Sequence, residues 1–93
     1  MESERRGNEE GGEVDRTGVD RRVDAIGLIC PEPALRARTA LGPMRPGQML
    51  EILTDDPLAE VDLRILCDRG GHEWVGSAET DGVRRTRIRR AGD

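Results

Sequence analysis

The 93-residue sequence has no phenylalanine, no tyrosine and no lysine, and its single aromatic side chain is Trp74. Surfaces that bind single-stranded nucleic acid by stacking usually need several aromatics, so that function starts with little support. Without lysine there is no Schiff-base chemistry and no lysine-based phosphate loop. All 15 basic residues other than His72 are arginines, a usage that reads as genomic base composition more than mechanism. Two cysteines and one histidine, with only Cys67 and His72 close in sequence, match no common zinc spacing, so neither a metal nor another cofactor is expected. No apolar run approaches the length needed to span a bilayer. The polar, acidic first residues do not read as a signal peptide. The expected setting is therefore a reducing cytoplasm, where a thiol is more often reactive or metal-binding than part of a structural disulfide. A net charge of −4 argues against a generic polyanion binder and against an anionic membrane surface. With 34% apolar and 37% charged residues, the chain can build one small domain with an economical core.

The chemically suggestive stretch is Ala25-Ile26-Gly27-Leu28-Ile29-Cys30-Pro31-Glu32-Pro33. A cysteine after an apolar run is ordinarily a small buried hydrophobe. Here two prolines follow it, and proline suits the first turn of a helix because its missing N–H costs nothing there. A helix beginning at Pro31 or Glu32 places Cys30 at or just before the N-cap. Its free N–H groups and positive dipole end would then face the sulfur and favour the nucleophilic thiolate. Gly27 permits a sharp turn just upstream. Glu32, in the first turn, suits the dipole and is not read as a base.

Residues 1–20 read as a disordered acidic and polar head, since their few apolar side chains cannot offset ordering entropy. The folded domain is expected over residues 21–91. Val23 and Ala25 alternate with polar neighbours as a short strand. A helix should run from about Glu32 to Leu41, with Ala34, Ala37 and Leu41 on one face and Leu35 beside it, ended by Gly42-Pro43. Met49 to Thr54 is the clearest strand, with Leu50, Ile52 and Thr54 on one face. Asp55-Asp56-Pro57 ends it, Asp56 reading as an N-cap and Pro57 as the first helical residue. The second helix should run to Arg69, with Leu58, Val61, Ile65 and Leu66 as its apolar stripe, and stop at Gly70-Gly71. Cys67, in its last turn, faces the negative end of the dipole and should be a poor nucleophile. His72 to Thr80 and Val83 to Arg90 read as a hairpin around Asp81-Gly82. Arg85, Arg87 and Arg89 would line one face of the last strand, either as a solvated face or as a docking surface for an acidic partner or RNA backbone. The order β-α-β-α-β-β predicts an α+β, two-layer sandwich: a mixed four-stranded sheet with two helices on one face.

The pattern Asp24-x-x-Gly27-Leu28-x-Cys30-Pro31-x-Pro33, then Met44-x-Pro46-Gly47, Asp55-Asp56-Pro57, Asp62, Cys67 and Gly71-His72, resembles the TusA/SirA family of small sulfur-carrier proteins. The resemblance extends over about Arg22 to Arg90. It implies the same β-α-β-α-β-β sandwich. It also implies that Cys30 accepts sulfane sulfur as a persulfide from a donor, such as a cysteine desulfurase or rhodanese, and passes it to an acceptor protein. In that family the sulfur feeds tRNA wobble-uridine thiolation, molybdenum-cofactor maturation or oxidative sulfur metabolism. Such a protein is a sulfurtransferase-type relay more than a turnover enzyme. The motif needs no cofactor, no nucleic acid bound directly and no membrane, and it can work as a monomer. Relatives often carry an aromatic where this chain has Thr86 and a lysine where it has Arg90. Two other readings stay open: a regulatory or RNA-binding module using the arginine strand, and a redox protein pairing Cys30 with Cys67.

Overall fold

A computed structural model describes residues 18–92. Most of the head expected over residues 1–20 lies outside the described residues. Its last positions are built into the domain: Val19 is buried, and Asp20 pairs with Met49 through its N–H and its carboxylate, both at 2.8 Å.

The chain forms β1 (Arg21–Asp24), α1 (Glu32–Leu41), β2 (Met49–Thr54), α2 (Ala59–Gly70), β3 (Glu73–Thr80) and β4 (Val83–Arg89). The sheet order is β1-β2-β4-β3, with β1 and β2 parallel and the other pairings antiparallel. This is the mixed, two-helix sandwich that the element order predicts. Both helices follow parallel strands, so their N-termini meet at one end of the sheet, where β1 and β2 also end.

Leu50 and Ile52 of β2, Ile88 of β4 and Leu63 of α2 are fully buried at the centre. Burying each such side chain contributes roughly 1.5–3 kcal/mol. α1 buries mostly small residues, Pro33, Ala37 and Ala40, with Leu41 at its end, which lets it lie close to β1 and β2. Asp81 and Gly82 both take positive φ, the turn geometry that matches strand twist in a two-residue hairpin.

Two expectations about α2 are corrected. The helix begins at Ala59, two residues after Pro57, because Asp56 first closes a turn: its Oδ1 accepts from the Leu58 N–H at 3.0 Å and its carbonyl from the Ala59 N–H at 3.0 Å. The buried stripe is Ala59, Leu63 and Cys67 with half-buried Leu66, while Leu58, Val61 and Ile65 face solvent. Two apolar sets share helical spacing here, and the packed helix buries the smaller one. The helix ends as expected, with Gly71 in the left-handed region at φ 72° and the His72 N–H donating to the Cys67 carbonyl at 2.9 Å.

Candidate functional site

Cys30 lies just before Pro31, the N-cap of α1, at the end of the sheet where both helices begin. The prolines set the helix start, as expected. They also remove two of the donors that a helix N-terminus would otherwise offer. A third, the Glu32 N–H, is taken by the Ile29 carbonyl at 2.9 Å. The Cys30 N–H itself donates to Asp56 Oδ2 at 2.7 Å. Few backbone donors are left for the sulfur.

The side chain that meets the sulfur is Asp62, one turn into α2. The Cys30 thiol donates to Asp62 Oδ2. That hydrogen bond, then burial, then the negative charges of Asp62 and Asp56, push the Cys30 thiol above its ordinary pKa. The expectation of a resting thiolate is therefore reversed. The helix dipole is a modest effect near a solvent-exposed terminus, and a bonded carboxylate outweighs it. The sequence reading places Asp62 off the apolar stripe and names it only as a landmark. Its meeting with Cys30 depends on how α2 packs beside α1, which spacing alone does not reveal.

Asp56 does not cap α2 as expected: the N-cap is Leu58, with no side-chain cap bond, and the two aspartates bind loops instead. Asp55 Oδ1 accepts from the Gly27 N–H at 2.9 Å, and Asp56 bonds Cys30 as well as Leu58. The β2–α2 loop thus stitches the β1–α1 loop in place from below. The Leu58 and Cys30 N–H groups hold the Asp56 carboxyl below its ordinary pKa. Gly27 sits at φ 87°, where a side chain would be strained.

Several large apolar side chains of α1, α2 and the loops before them face solvent. Ile29 is 73% exposed and Leu58 62% exposed, and Ile26, Leu35, Val61 and Ile65 also face solvent. A small soluble protein rarely concentrates such residues without a contact to make. Cys67 is the opposite case. It is buried on the sheet side of α2, and burial, opposed by Arg64, raises its pKa to about 11. Both cysteines are free thiols.

The remaining candidates fall outside this site. Glu32 lies within 3.9 Å of Arg36 in an exposed i,i+4 pair. Arg85 and Arg87, together with Arg22, converge on Glu51, whose side chain is 1% exposed on the helix-free face of the sheet, at 3.8, 3.1 and 2.6 Å. Arg89 pairs with Glu73 at 3.3 Å. The strand arginines are thus engaged by carboxylates of the same sheet face, and their stems cover it. Thr86, in the aromatic position of relatives, is buried beside Ser77 Oγ at 3.2 Å. Arg90, in the lysine position, donates to the Leu41 carbonyl at 2.8 Å and closes the end of α1. Among the described residues no group of three or more His, Cys, Asp or Glu side chains is placed to hold a metal ion, and no helix is long and apolar enough to cross a membrane.

The family model "Sulfurtransferase TusA" matches residues 21–90, the whole β-α-β-α-β-β unit with Cys30 at its tip. The chain belongs to the TusA family. A sulfur-carrier role is the function this membership supports. A relative from Archaeoglobus fulgidus named "Putative sulfur carrier protein" is 49% identical over 55 residues, covering 59% of this chain and 71% of the relative. The crystal structure of a SirA-like protein from Desulfitobacterium hafniense superposes with a TM-score of 0.69 at 29% identity, covering 80% of this chain and all of the other. That match carries the fold as well as the family.

Proposed function

We propose that Cys30 is the sulfur-carrying residue of this TusA-family protein. A donor protein delivers sulfane sulfur to it, and an acceptor thiol removes it. The observation that carries this reading is a part-exposed thiol just before the N-terminus of α1, next in sequence to the exposed Ile29. A group exchanged between two proteins needs such an open, sticky presentation. A reaction completed inside one protein would need an enclosing cleft.

The exchange is balanced without a cofactor. The Cys30 thiolate attacks the outer sulfur of a donor persulfide. The donor's S–S bond breaks as the Cys30 S–S bond forms, and the donor thiolate leaves and takes up a proton, in place of the one Cys30 gave up. Unloading repeats the step with the acceptor thiol attacking the outer sulfur on Cys30. Asp62 favours the thiol form in the free carrier, so it sets how little thiolate is present before a partner arrives. Donors of the desulfurase or rhodanese type, and acceptors in tRNA thiolation, molybdenum-cofactor maturation or sulfur oxidation, fit this chemistry. A regulatory or RNA-binding role through Arg85, Arg87 and Arg89 has no comparable support, since those guanidinium groups face Glu51 and Glu73.

Intact-mass analysis after incubation with a desulfurase and cysteine, or with a rhodanese and thiosulfate, tests the assignment. The expected result is a gain of one sulfur atom that is lost in Cys30→Ala and kept in Cys67→Ala. Sulfur retained by Cys30→Ala would overturn it.

A further inference from the structure

An open groove of about 500 Å³ runs between α1 and α2. At one end it reaches Pro31 and Asp62, the neighbours of Cys30. Its middle is apolar, formed by Ala34, Leu35, Ile65 and Leu66. Its far end carries Arg38 and Arg69. The two arginines hold equivalent places: Arg38 follows Pro31 by seven residues and Arg69 follows Asp62 by seven. At 1.5 Å per residue, seven residues put the Cα atoms of Arg38 and Arg69 about 10 Å along their helices from Pro31 and Asp62.

These two side chains differ from most arginines of the sheet. Arg22, Arg85, Arg87 and Arg89 are paired with carboxylates, and Arg90 with backbone carbonyls. Arg38 and Arg69 have no carboxylate partner among the described residues. Each also complements the negative end of its own helix, but that role does not require them to share one groove. A reactive thiol, an apolar channel and two guanidinium groups in line describe a site for an amphiphilic anion. The size lies within the range of small-molecule sites.

Resting on the reading of Cys30 as the sulfur carrier, we infer that this groove binds low-molecular-weight organic persulfides of the peptide-thiol class, with their carboxylates on Arg38 and Arg69. A ligand that reaches from the Cys30 end to both arginines spans about two helical turns, a length closer to an extended tripeptide than to a single amino acid. The loading step is the exchange given above. The Cys30 thiolate takes the outer sulfur, and the peptide leaves as its thiolate and is protonated. No oxidant or reductant is consumed. The carrier would thus load from a small-molecule pool as well as from a protein donor.

The test compares glutathione persulfide with its dimethyl ester, using the full-length chain and following sulfur addition to Cys30 by mass. For the unmodified protein the persulfide concentration that half-saturates the rate of sulfur addition should be about ten-fold lower for the free acid than for the ester, the order expected of charge-assisted contacts near the surface. In the double variant Arg38→Gln/Arg69→Gln that ratio should fall to about one. In Arg45→Gln, which removes an exposed arginine that does not line the groove, the ratio should persist. A circular-dichroism melt checks that the variants fold. A ratio near one in the unmodified protein, or a ratio unchanged in the double variant, overturns the groove assignment. Failure of both persulfides and of a protein donor to place sulfur on Cys30 would instead overturn the carrier reading itself.

Discussion

Replacing Asp62 with asparagine should make Cys30 more reactive at neutral pH, contrary to what removing a residue beside a nucleophile usually does. The carboxylate accepts the thiol proton and adds its charge, so both effects favour the neutral sulfur. Asparagine keeps the size and removes the charge. Loss of one hydrogen bond to a charged acceptor at a solvated site should raise the thiolate fraction at pH 7 by roughly ten-fold. The gain in rate is smaller, because nucleophilicity falls as basicity falls with a Brønsted coefficient of about 0.4–0.5. The net expectation is about a three-fold faster reaction with iodoacetamide at pH 7. The inflection of the pH–rate profile should move to lower pH, and above both inflections the aspartate protein should be the faster one. The assay is the pseudo-first-order alkylation rate from pH 6 to 11 in a Cys67→Ala background. A slower reaction at pH 7 with the inflection moved upward would refute the reasoning. It would mean that the helix terminus, or Asp62 acting as a base, governs the sulfur.

Three further outcomes follow. Leu58→Asp or Val61→Asp should leave the melting temperature nearly unchanged, because both side chains are exposed. Either should lower kcat/KM for loading from a protein donor by about ten-fold, as a charge in an apolar contact does. Glu51→Gln should lower the unfolding free energy in urea by roughly 2 kcal/mol, since it leaves three guanidinium groups without their shared carboxylate while their ends still reach water. Cys67 titrates at about 11 in the folded chain against 9.0 for an unperturbed thiol. Its contribution is complete below pH 9 and is lost as the pH rises toward 11, because the unfolded state gives up its proton first. Urea midpoints should therefore fall over that window, and less so in Cys67→Ala.

Much of this protein was legible in the residues. Strand alternation, the prolines after Cys30, Gly42-Pro43, Gly70-Gly71 and Asp81-Gly82 are local signals, and they give the elements and their order. The Cys-Pro-x-Pro stretch and the landmarks after it give the family. What was not legible depended on contacts between elements. The phase of α2 turns on two apolar sets with the same spacing, and the packed helix buries the smaller one. The sign of the Cys30 perturbation turns on Asp62, 32 residues away. The arginine row of β4 could be read as a solvated face or a docking surface because its carboxylate, Glu51, lies on a different strand. In each case the sequence contained the right side chains, and the packing decided what they did.

The two aspartates beneath the Cys30 loop have a consequence for timing. The loop is held by bonds to a neighbouring loop, so its shape does not depend on what lies above it. An intermediary that serves a giver and a taker in turn gains from such a mount. Neither partner has to order the loop on arrival, and neither leaves it altered on departure. Each encounter can then be brief, with the same atom offered in the same place to both.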